Sequence, residues 1–380
     1  MTGIPSSPSD HALADVMPSV AAALGAGTRN PLALEPCRDA VLVLVDGLGA
    51  ELIREHADDA PTLAALSTRM ISAGFPATTA TSLTSLAVGA PCSRHGIVGY
   101  SFRISDAEGP ATSFNPLRWT LGSAGGPSAL DRFPPREVQQ HPSLLELLAA
   151  QGVEVTYVMR EDFRDSGLTR AAFRADGAYL PASSLDEVRR GVLDSVGGPS
   201  RTRRFVYAYF GDLDLVGHIH GPGSPEWVRS LREVDAFVAD LAADLPHGCT
   251  LLLTADHGMV TAETVVDIDF SPALLADVDT VAGEARVRHV YARDGSANDV
   301  LAAWTSELRG HALVISREQA LDELLFGRGR DHAARLGDVI AVATGGVVLA
   351  RTRNEQLESS LLGHHGANTP AEQHIPLIVR

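Results

Sequence analysis

Five continuous apolar runs alternate with amphipathic segments along most of the chain, and this alternation constrains the fold more than any other feature. Apolar runs of six or seven residues are typical of strands that helices cover on both faces. The predicted strands are AVLVLV (40–45), VEVTYVM (153–159), RFVYAYF (204–210), TLLLTA (250–255) and DVIAVA (338–343). We therefore predict an α/β fold with a largely parallel central sheet flanked by helices on both faces.

Two of the intervening segments carry clear helix signals. Residues 142–152 begin with proline, have an apolar stripe at helical spacing and end at glycine. In residues 224–245, Ser224 is a predicted N-cap, Pro225 occupies the first helical position, and apolar residues recur every three or four positions. Helical segments between buried strands support the α/β prediction.

The length of 380 residues and the apolar content of 45% suit one large α/β domain with insertions. We expect a weakly patterned N-terminal leader over residues 1–35 and a single domain over residues 36–380. Residues 101–141 are rich in glycine, proline, serine and aromatic residues, which favours an irregular lid or insert. Residues 260–335 mix short strand and helix signals and are interpreted as a small subdomain.

Composition excludes several classes of function. All 31 basic residues are arginine, so no lysine can bind a nucleotide phosphate in a P-loop or form a Schiff base. The formal net charge of −16 argues against a nucleic-acid scaffold or an anionic membrane as partner. No apolar run reaches 18 residues, and Cys37, Cys92 and Cys249 form a widely spaced set without C-x-x-C. We expect a cytoplasmic protein with reduced thiols.

Acidic and imidazole side chains follow the predicted strands. Ligands of open α/β sheets bind beyond the carboxyl ends of the strands, so these positions are the first candidates for a site. They are Asp46 in VDGLG, Asp214 and His218 in DLDLVGHIHGP, Asp256 and His257 in ADHGM, and His364 and His365 in GHHGAN. Aspartate and histidine together suit Zn²⁺ or a similar transition metal. The pattern predicts a metal site at one edge of the sheet.

Each of these residues has a structural alternative when it is taken alone. Asp46 can cap a helix, and Asp214 and His218, four residues apart, can form a surface contact on one helix face. Asp256 and His257 are more specific, because adjacent side chains diverge and need a bend, which the following glycine permits. The whole constellation, rather than any single residue, carries the metal interpretation.

Hydroxyl side chains cluster where a strand-like stretch gives way to a predicted helix in FPATTATSLTSLAVG. A hydroxyl at a helix N-terminus faces unsatisfied N–H groups and the positive end of the helix dipole, which suits a phosphoryl oxygen. Without a lysine or a neighbouring histidine, such a hydroxyl needs a metal ion to become a nucleophile. The alternative is that Thr78, Thr79, Thr81 and Ser82 only cap the helix.

The ordered set VDGLG, FPATTATSLTSLAVGAPCSRHGI, DLDLVGHIHGP, TADHGM and HHGAN resembles the alkaline phosphatase superfamily. It is most similar to the type I phosphodiesterase/nucleotide pyrophosphatase branch. The resemblance runs from about Ala40 to the C-terminus, keeps the motifs in family order and includes an R-x-G-D element at Arg335–Asp338. It implies an alkaline phosphatase-like fold and metal-dependent hydrolysis of phosphoesters.

The resemblance also implies roles for single residues. Thr79 matches the nucleophile, and two divalent metal ions, preferably zinc with manganese or iron as alternatives, would surround it. The implied ligands of the two ions are Asp46, Asp256 and His257 for the first, which also binds Thr79, and Asp214, His218 and His365 for the second. Ser82 stands where that branch often has an asparagine that contacts a phosphoryl oxygen, and it is a candidate for the same contact.

The implied reaction is cleavage of a small-molecule phosphodiester or pyrophosphate bond through a phospho-threonine intermediate. A diester is favoured over a monoester because no arginine lies between Phe75 and Pro91 to balance the extra charge of a monoester. A diester needs a pocket for its second substituent. Phe102, Phe114 and Trp119 are candidates to wall it.

Three other functions remain open from the sequence, whereas a fourth, that of a sulfatase, is disfavoured. A phosphomonoesterase or a phosphonate hydrolase of the same superfamily would use the same ligands. A sulfatase would need a C/S-x-P-x-R order, which Cys92, Ser93 and Arg94 do not provide. A non-catalytic metal- or nucleotide-binding regulator is the alternative from another class, although it would be expected to have lost ligands that this chain retains.

Overall fold

A computed structural model describes residues 10–106, 109–122, 125–198 and 200–380 of the protein. Its strands are β1 (Asp39–Val45), β2 (Arg69–Ser72), β3 (Phe102–Ile104), β4 (Thr112–Asn115), β5 (Thr120–Leu121), β6 (Glu154–Met159), β7 (Ala178–Pro181), β8 (Arg204–Phe210), β9 (Cys249–Thr254), β10 (Val260–Thr261), β11 (Thr264–Asp267), β12 (Val278–Glu284), β13 (Val287–Ala292), β14 (Ala312–Ser316), β15 (Val339–Ala343), β16 (Val347–Ala350), β17 (Gly363–His364) and β18 (His374–Val379).

The α-helices lie mainly between these strands. They are α1 (Val16–Ala23), α2 (Ala50–Glu55), α3 (Pro61–Leu66), α4 (Thr79–Val88), α5 (Cys92–His95), α6 (Pro135–Val138), α7 (Leu144–Ala150), α8 (Gly167–Ala172), α9 (Leu185–Val196), α10 (Asp212–His220), α11 (Pro225–Asp244), α12 (Pro272–Leu275), α13 (Ala297–Glu307), α14 (Arg317–Asp322), α15 (Gln356–Ser359) and α16 (Pro370–Gln373). Among the described residues, no helix has the length and apolar character needed to cross a membrane.

The central sheet has seven strands in the order β2-β18-β9-β1-β8-β6-β7. Strand β1 pairs in parallel with both β8 and β9, and β6 pairs in parallel with β8 and β7. Strand β18 is antiparallel to β9 and to β2. The prediction of a largely parallel central sheet is confirmed, and the antiparallel pairing is confined to one side of it.

Burial along β1 shows that both faces of the sheet are covered. Successive side chains of a strand point to opposite faces, and every residue from Ala40 to Val45 is at most 1% exposed. Helix α11 contributes an apolar stripe, in which Trp227, Leu231 and Val234 are fully buried. Each such side chain contributes roughly 1.5–3 kcal/mol by leaving water. The alternation of apolar runs and amphipathic helices is therefore the physical origin of the layered core.

The two strongest helix signals correspond to α7 and α11. Helix α11 has Ser224 as its N-cap, whose hydroxyl accepts a hydrogen bond from the Trp227 amide at 3.2 Å. Helix α7 begins later than its proline suggests, because Ser143 is the N-cap and forms a capping box with Glu146. The proline at position 142 therefore precedes the helix rather than opening it.

A second, smaller sheet has the order β12-β13-β15-β14, and its neighbouring strands are antiparallel. The predicted strand at 338–343 lies here as β15 and not in the central sheet. Its five residues are all buried, with Trp304 of α13 in the core on this side. An apolar run indicates burial on both faces but carries no information about which sheet the strand joins.

The glycine- and proline-rich segment after α5 contains a three-stranded antiparallel sheet, β3-β4-β5. The rings of Phe102 and Phe114 lie 5.6 Å apart, and those of Phe114 and Trp119 lie 4.9 Å apart, both edge to face. All three side chains are buried. They form a small aromatic core that holds the segment together.

Candidate metal centre

Strands β1 and β9 end side by side in the central sheet and bring three candidate ligands together. Asp46 follows β1 directly, while Asp256 and His257 follow β9 after one intervening residue. His257 Nε2 lies 3.4 Å from Asp46 Oδ1 and 3.4 Å from Asp256 Oδ2. All three side chains are buried. These residues, called the first ligand group, offer ligand atoms that all lie within 4.8 Å of one another.

The electrostatics of the first ligand group fit a divalent cation. Burial raises the pKa of Asp46 well above its usual range, and the neighbouring Asp256 carboxylate raises it further. Tyr209 donates a hydrogen bond to Asp46 Oδ2, and the Gly47 amide donates one to Asp256 Oδ1 at 3.3 Å. Among the described residues, Asp46 Oδ1 and Asp256 Oδ2 accept no hydrogen bond. Two buried, mutually repelling carboxylates with free oxygens need a cation to balance them.

A second ligand group consists of Asp214 and His218 on α10 and His365 after β17. His218 Nε2 lies 3.2 Å from Asp214 Oδ2 and 3.2 Å from His365 Nε2. On the other side of the rings, His218 Nδ1 lies 2.7 Å from the Gly363 carbonyl, and His365 Nδ1 lies 2.9 Å from the Ala77 carbonyl. Donation from each Nδ1 to these carbonyls leaves both Nε2 lone pairs facing the group, as a metal requires.

The two ligand groups adjoin. The rings of His257 and His365, one from each group, stack with centroids 3.5 Å apart. Gly47 has a left-handed φ of 73°, and a Cβ there would meet Asp214 at 3.0 Å, so glycine is required between the groups. Burial opposes ionisation of Asp214, but His218 and His365 outweigh it and hold the pKa of Asp214 below its usual value.

The nucleophile predicted from the sequence lies against the first ligand group. Helix α4 begins at Thr79, whose Oγ1 lies 3.3 Å from His257 Nε2. Thr78 is the N-cap in an extended conformation, and its side chain makes no capping hydrogen bond. The first N–H groups of the helix therefore have neither an intrahelical acceptor nor a side-chain cap. This combination of a hydroxyl, free amides and adjacent metal ligands suits a phosphoryl group.

Ser82 lies one turn further along α4 and is buried. Its hydroxyl makes no hydrogen bond to any described residue. It lines neither of the two cavities that open at Thr79, where Leu83 of the same helix lines one of them. The contact of Ser82 to a phosphoryl oxygen therefore stays a prediction from the sequence. The Ser82 hydroxyl does not line either cavity.

The sequence predicts that Gly258 permits a bend after Asp256 and His257. The structure gives a different reason for glycine at this position. A Cβ at this position would lie 2.0 Å from the Ala371 carbonyl oxygen and 3.0 Å from Gly49. The Gly258 amide donates a 2.9 Å hydrogen bond to the Glu372 carbonyl. Glycine is therefore required after the first ligand group because the backbone of another segment approaches closely, and not because of a left-handed φ.

Two cavities open at Thr79. The first, of about 410 Å³, is called the aromatic cavity; beside Asp46 and Thr79 its walls include Met159, Phe163, Phe173, Tyr207 and Tyr209. The second, of about 400 Å³, is called the acidic cavity; beside Thr79, His218 and His365 its walls include Glu284, Glu355 and Glu358. Leu117 and Arg118 line both cavities.

Several residues singled out in the sequence lie outside this centre. Phe102, Phe114 and Trp119 line neither cavity, because they pack against one another. Arg335 donates hydrogen bonds to the carbonyls of Gly96 and Val138, at 2.6 and 2.9 Å, and so holds chain segments together.

His364 and Asp338 belong to neither ligand group. His364 lines the acidic cavity, but its Nε2 lies 3.0 Å from the Leu361 carbonyl, and Asp338 accepts a 2.7 Å hydrogen bond from Arg317. His365, rather than His364, lies in the second ligand group.

Sequence reasoning missed Tyr209, Leu117 and Arg118. Tyr209 had a recoverable signal, since it is the penultimate residue of a predicted strand that neighbours β1 and so reaches Asp46. Leu117 and Arg118 had none, because they lie in the irregular turn between β4 and β5.

The fold and the paired ligand groups around a hydroxyl define the class of protein, the alkaline phosphatase superfamily. Within it, the chain belongs to the family "Type I phosphodiesterase / nucleotide pyrophosphatase", whose sequence model matches residues 40–368. The resemblance read from the motifs is confirmed, and the family description is one of phosphoric ester hydrolases, the predicted enzyme class.

Curated relatives match parts of the chain. The catalytic subunit of human GPI ethanolamine phosphate transferase 3 is 27% identical over 124 residues, covering 31% of this chain and 11% of that protein. Human ectonucleotide pyrophosphatase/phosphodiesterase family member 5 is 26% identical over 175 residues, covering 44% of this chain and 34% of that protein. The chain thus matches only a tenth to a third of the length of these two relatives.

Solved structures support the fold over nearly the whole chain. Human ectonucleotide pyrophosphatase/phosphodiesterase 5 is 18% identical with a TM-score of 0.67, covering 90% of this chain and 87% of that one. Phosphonoacetate hydrolase from Sinorhizobium meliloti 1021, solved with phosphonoacetate, is 18% identical with a TM-score of 0.66, covering 90% of both chains. At this identity the likeness shows the alkaline phosphatase-like fold alone.

Proposed function

We propose that this protein is a metal-dependent hydrolase that cleaves a phosphodiester or pyrophosphate bond of a small molecule through a phospho-threonine intermediate at Thr79. Two divalent ions, one in each ligand group, would lower the pKa of the nucleophilic hydroxyl and stabilise the departing oxygen. Aspartate and histidine donors favour zinc, with manganese or iron as alternatives. The free, buried oxygens of Asp46, Asp214 and Asp256 support this.

Thr79 carries the covalent chemistry. Its hydroxyl loses its proton to water as Oγ1 attacks phosphorus, the bond from phosphorus to the leaving oxygen breaks, and the leaving group takes up a proton from water. Water then attacks the phospho-threonine, which releases the product and restores the hydroxyl. Two in-line displacements give retention of configuration at phosphorus. The free amides at the start of α4 would bind the non-bridging oxygens.

The aromatic cavity carries the preference for a diester. After the attack of Thr79, a diester leaves one substituent on the phosphoryl group, whereas a monoester leaves none. The cavity opens directly at Thr79, and Phe163, Phe173 and Tyr209 give it rings on which a planar group can pack. A monoester has one substituent to accommodate, whereas two cavities open at Thr79.

The test compares bis(p-nitrophenyl) phosphate with p-nitrophenyl phosphate as substrates of the metal-reconstituted protein. We expect kcat/KM for the diester to exceed that for the monoester. Faster hydrolysis of the monoester would contradict the diester preference, and inactivity toward both would favour the non-catalytic regulator.

We also propose a cytoplasmic location. Cys37, Cys92 and Cys249 form no disulfide. Burial raises the pKa of the Cys92 and Cys249 thiols to about 12, so they are poor nucleophiles. A thiol count on denatured protein isolated under non-reducing conditions should find all three cysteines free, and a disulfide would argue for an oxidising compartment.

A further inference from the structure

The acidic cavity lies on the side of the second ligand group. Its walls include Thr79, His218 and His365, whereas the aromatic cavity contains neither histidine. Asp214 lines both cavities. In an in-line displacement the leaving group departs from the face opposite the nucleophile, toward the ion that stabilises its oxygen. If the second ligand group has that role, the acidic cavity receives the leaving group and the aromatic cavity receives the substituent that stays on phosphorus.

Two of the three glutamates in the acidic cavity are already neutralised by arginine. Arg288 donates a 2.8 Å hydrogen bond to Glu355, and Arg351 lies 3.7 Å from the same carboxylate. Arg118 lies 3.6 Å from Glu358.

Glu358 is satisfied further by the Tyr100 hydroxyl, which donates to it at 3.1 Å. Glu355 and Glu358 therefore act mainly as structural partners of these arginines.

Glu284 differs from both. Its two carboxyl oxygens are buried and accept no hydrogen bond of good geometry from any described residue. Burial raises the pKa of Glu284 to about 8, and the Thr78 hydroxyl, the Arg288 charge and the Tyr100 backbone only partly offset this.

The position of this carboxyl is fixed by the backbone around it. Glu284 ends β12, which pairs with β13, and a Cβ on Gly366 would lie 2.9 Å from its carboxyl carbon. The loop that carries His365 thus packs directly over Glu284. Burial disfavours the ionised form of this carboxyl, and a positively charged ligand in the cavity would favour it.

We propose that the acidic cavity binds the leaving alcohol of the substrate and that Glu284 recognises a cationic group of the ammonium class on that alcohol. This inference rests on the proposed phosphodiesterase function and narrows its substrate class. The same carboxyl disfavours leaving groups with negative charge, such as pyrophosphate or a carboxylate-bearing alcohol. Among the bonds that the family description allows, it therefore selects a phosphodiester with a cationic leaving group over a nucleotide pyrophosphate.

The experiment uses three diesters that share a methyl group as the retained substituent and differ in the departing phenol. The phenols carry a para trimethylammonio, methylsulfonyl or sulfonate group and are of similar acidity. We expect kcat/KM of the metal-reconstituted protein to be about tenfold or more higher for the cationic than for the anionic diester. Equal values, or a preference for the anionic diester, would overturn the inference.

The assays are run at about pH 9, above the pKa of about 8, so that the Glu284 carboxyl is ionised. Glu284→Gln then isolates this carboxyl, because it keeps the shape and removes the charge. We expect it to reduce the cationic-to-anionic ratio of kcat/KM about tenfold. Glu284→Asp should retain most of the ratio. Glu233→Gln, an exposed carboxyl on α11, is the matched control and should leave all three values unchanged. An unchanged ratio in Glu284→Gln would exclude Glu284 as the recognition residue.

A binding measurement separates this inference from the proposed function. Phenyltrimethylammonium and benzenesulfonate are titrated into Thr79→Ala protein by calorimetry. Tighter binding of the cation, lost in Thr79→Ala/Glu284→Gln, supports the cavity assignment without turnover. If wild-type protein hydrolyses the neutral diester without a charge preference, only the inference fails. If it hydrolyses no diester, the proposed function fails, and the absence of cation binding would then also reject the cavity as an ammonium site.

Discussion

The imidazole rings of His257 and His365 stack with their centroids 3.5 Å apart and their planes within 11° of parallel. They belong to different ligand groups, so each ring forms part of the packing that holds the other group in place. We therefore expect His365→Ala to weaken metal binding in both groups rather than in one. Metal analysis after dialysis against zinc should find less than one retained ion per chain, and retention of a full first ion would show that the groups are independent.

Thr79→Ala removes the proposed nucleophile and leaves every carboxylate and imidazole of the two ligand groups in the sequence. Turnover of bis(p-nitrophenyl) phosphate should fall by about a thousandfold or more, because the hydroxyl that lies 3.3 Å from His257 Nε2 is lost. Metal content should change little, and Thr79→Ser should keep a substantial part of the activity. Undiminished turnover by Thr79→Ala would reject the phospho-threonine intermediate.

Tyr209→Phe removes the hydrogen bond to Asp46 but keeps the ring in the aromatic cavity. A side chain that orients a metal ligand typically contributes about 10–100-fold to metal affinity, so zinc should bind more weakly to the variant. Tyr207→Phe is the matched control, because the Tyr207 hydroxyl is buried and has no hydrogen-bond partner among the described residues. Competition with a chelator measures both; equal affinities in the two variants would show that the Tyr209 hydroxyl does not support the site.

The buried ion pair of Arg286 and Glu372 links the smaller sheet to the loop of His365. Both side chains are fully buried, and two hydrogen bonds of 2.9 Å join them. Glu372 also accepts the Ala367 amide at 2.9 Å. Arg286→Leu leaves Glu372 charged and unpaired and should lower the free energy of unfolding by about 3–5 kcal/mol.

The control for this ion pair is an exposed one. Arg330 lies 3.2 Å from Glu318, and both side chains are more than half exposed. Glu318→Ala should change the free energy of unfolding by less than about 1 kcal/mol. Urea unfolding curves provide both values, and similar losses in the two variants would argue against a special role of the buried pair.

The pH dependence of stability should report on Glu284 in the metal-free protein. Its folded pKa of about 8 lies above the ordinary value of 4.5, so the folded chain keeps a proton that the unfolded chain releases. Its contribution to stability is therefore fully present below pH 4.5 and is lost as the pH rises through 8. Glu284→Gln should match wild type at pH 4.5 and be more stable at pH 8.5, by up to a few kcal/mol, since one pKa unit corresponds to about 1.4 kcal/mol.

Thermal unfolding of both proteins across this pH range makes the comparison. Because every other ionisable group is shared, the difference between the two curves isolates Glu284. Parallel curves would show that this carboxyl titrates as if it were exposed.

The sequence predicts those features of the structure that depend on residues close together in the chain. Asp46 and Asp256 could be placed at one sheet edge because each directly follows a buried parallel strand, and the carboxyl ends of such strands meet. His365 required the family motif, since the short strand before it carries no periodic signal. Which sheet β15 joins and where Glu284 points both depend on contacts between segments far apart in sequence. Neither composition nor periodicity encodes such contacts.

The position of β18 has a consequence for how the protein is made. This strand lies between β2 and β9 in the central sheet, directly after the loop that carries His365. A ribosome has therefore synthesised β2 and β9 long before the strand that joins them emerges. During that interval both strands present unpaired edges, which attract other chains and invite chaperone binding. We infer that the nascent chain is most vulnerable to aggregation in the interval after β9 has emerged and before β18 has.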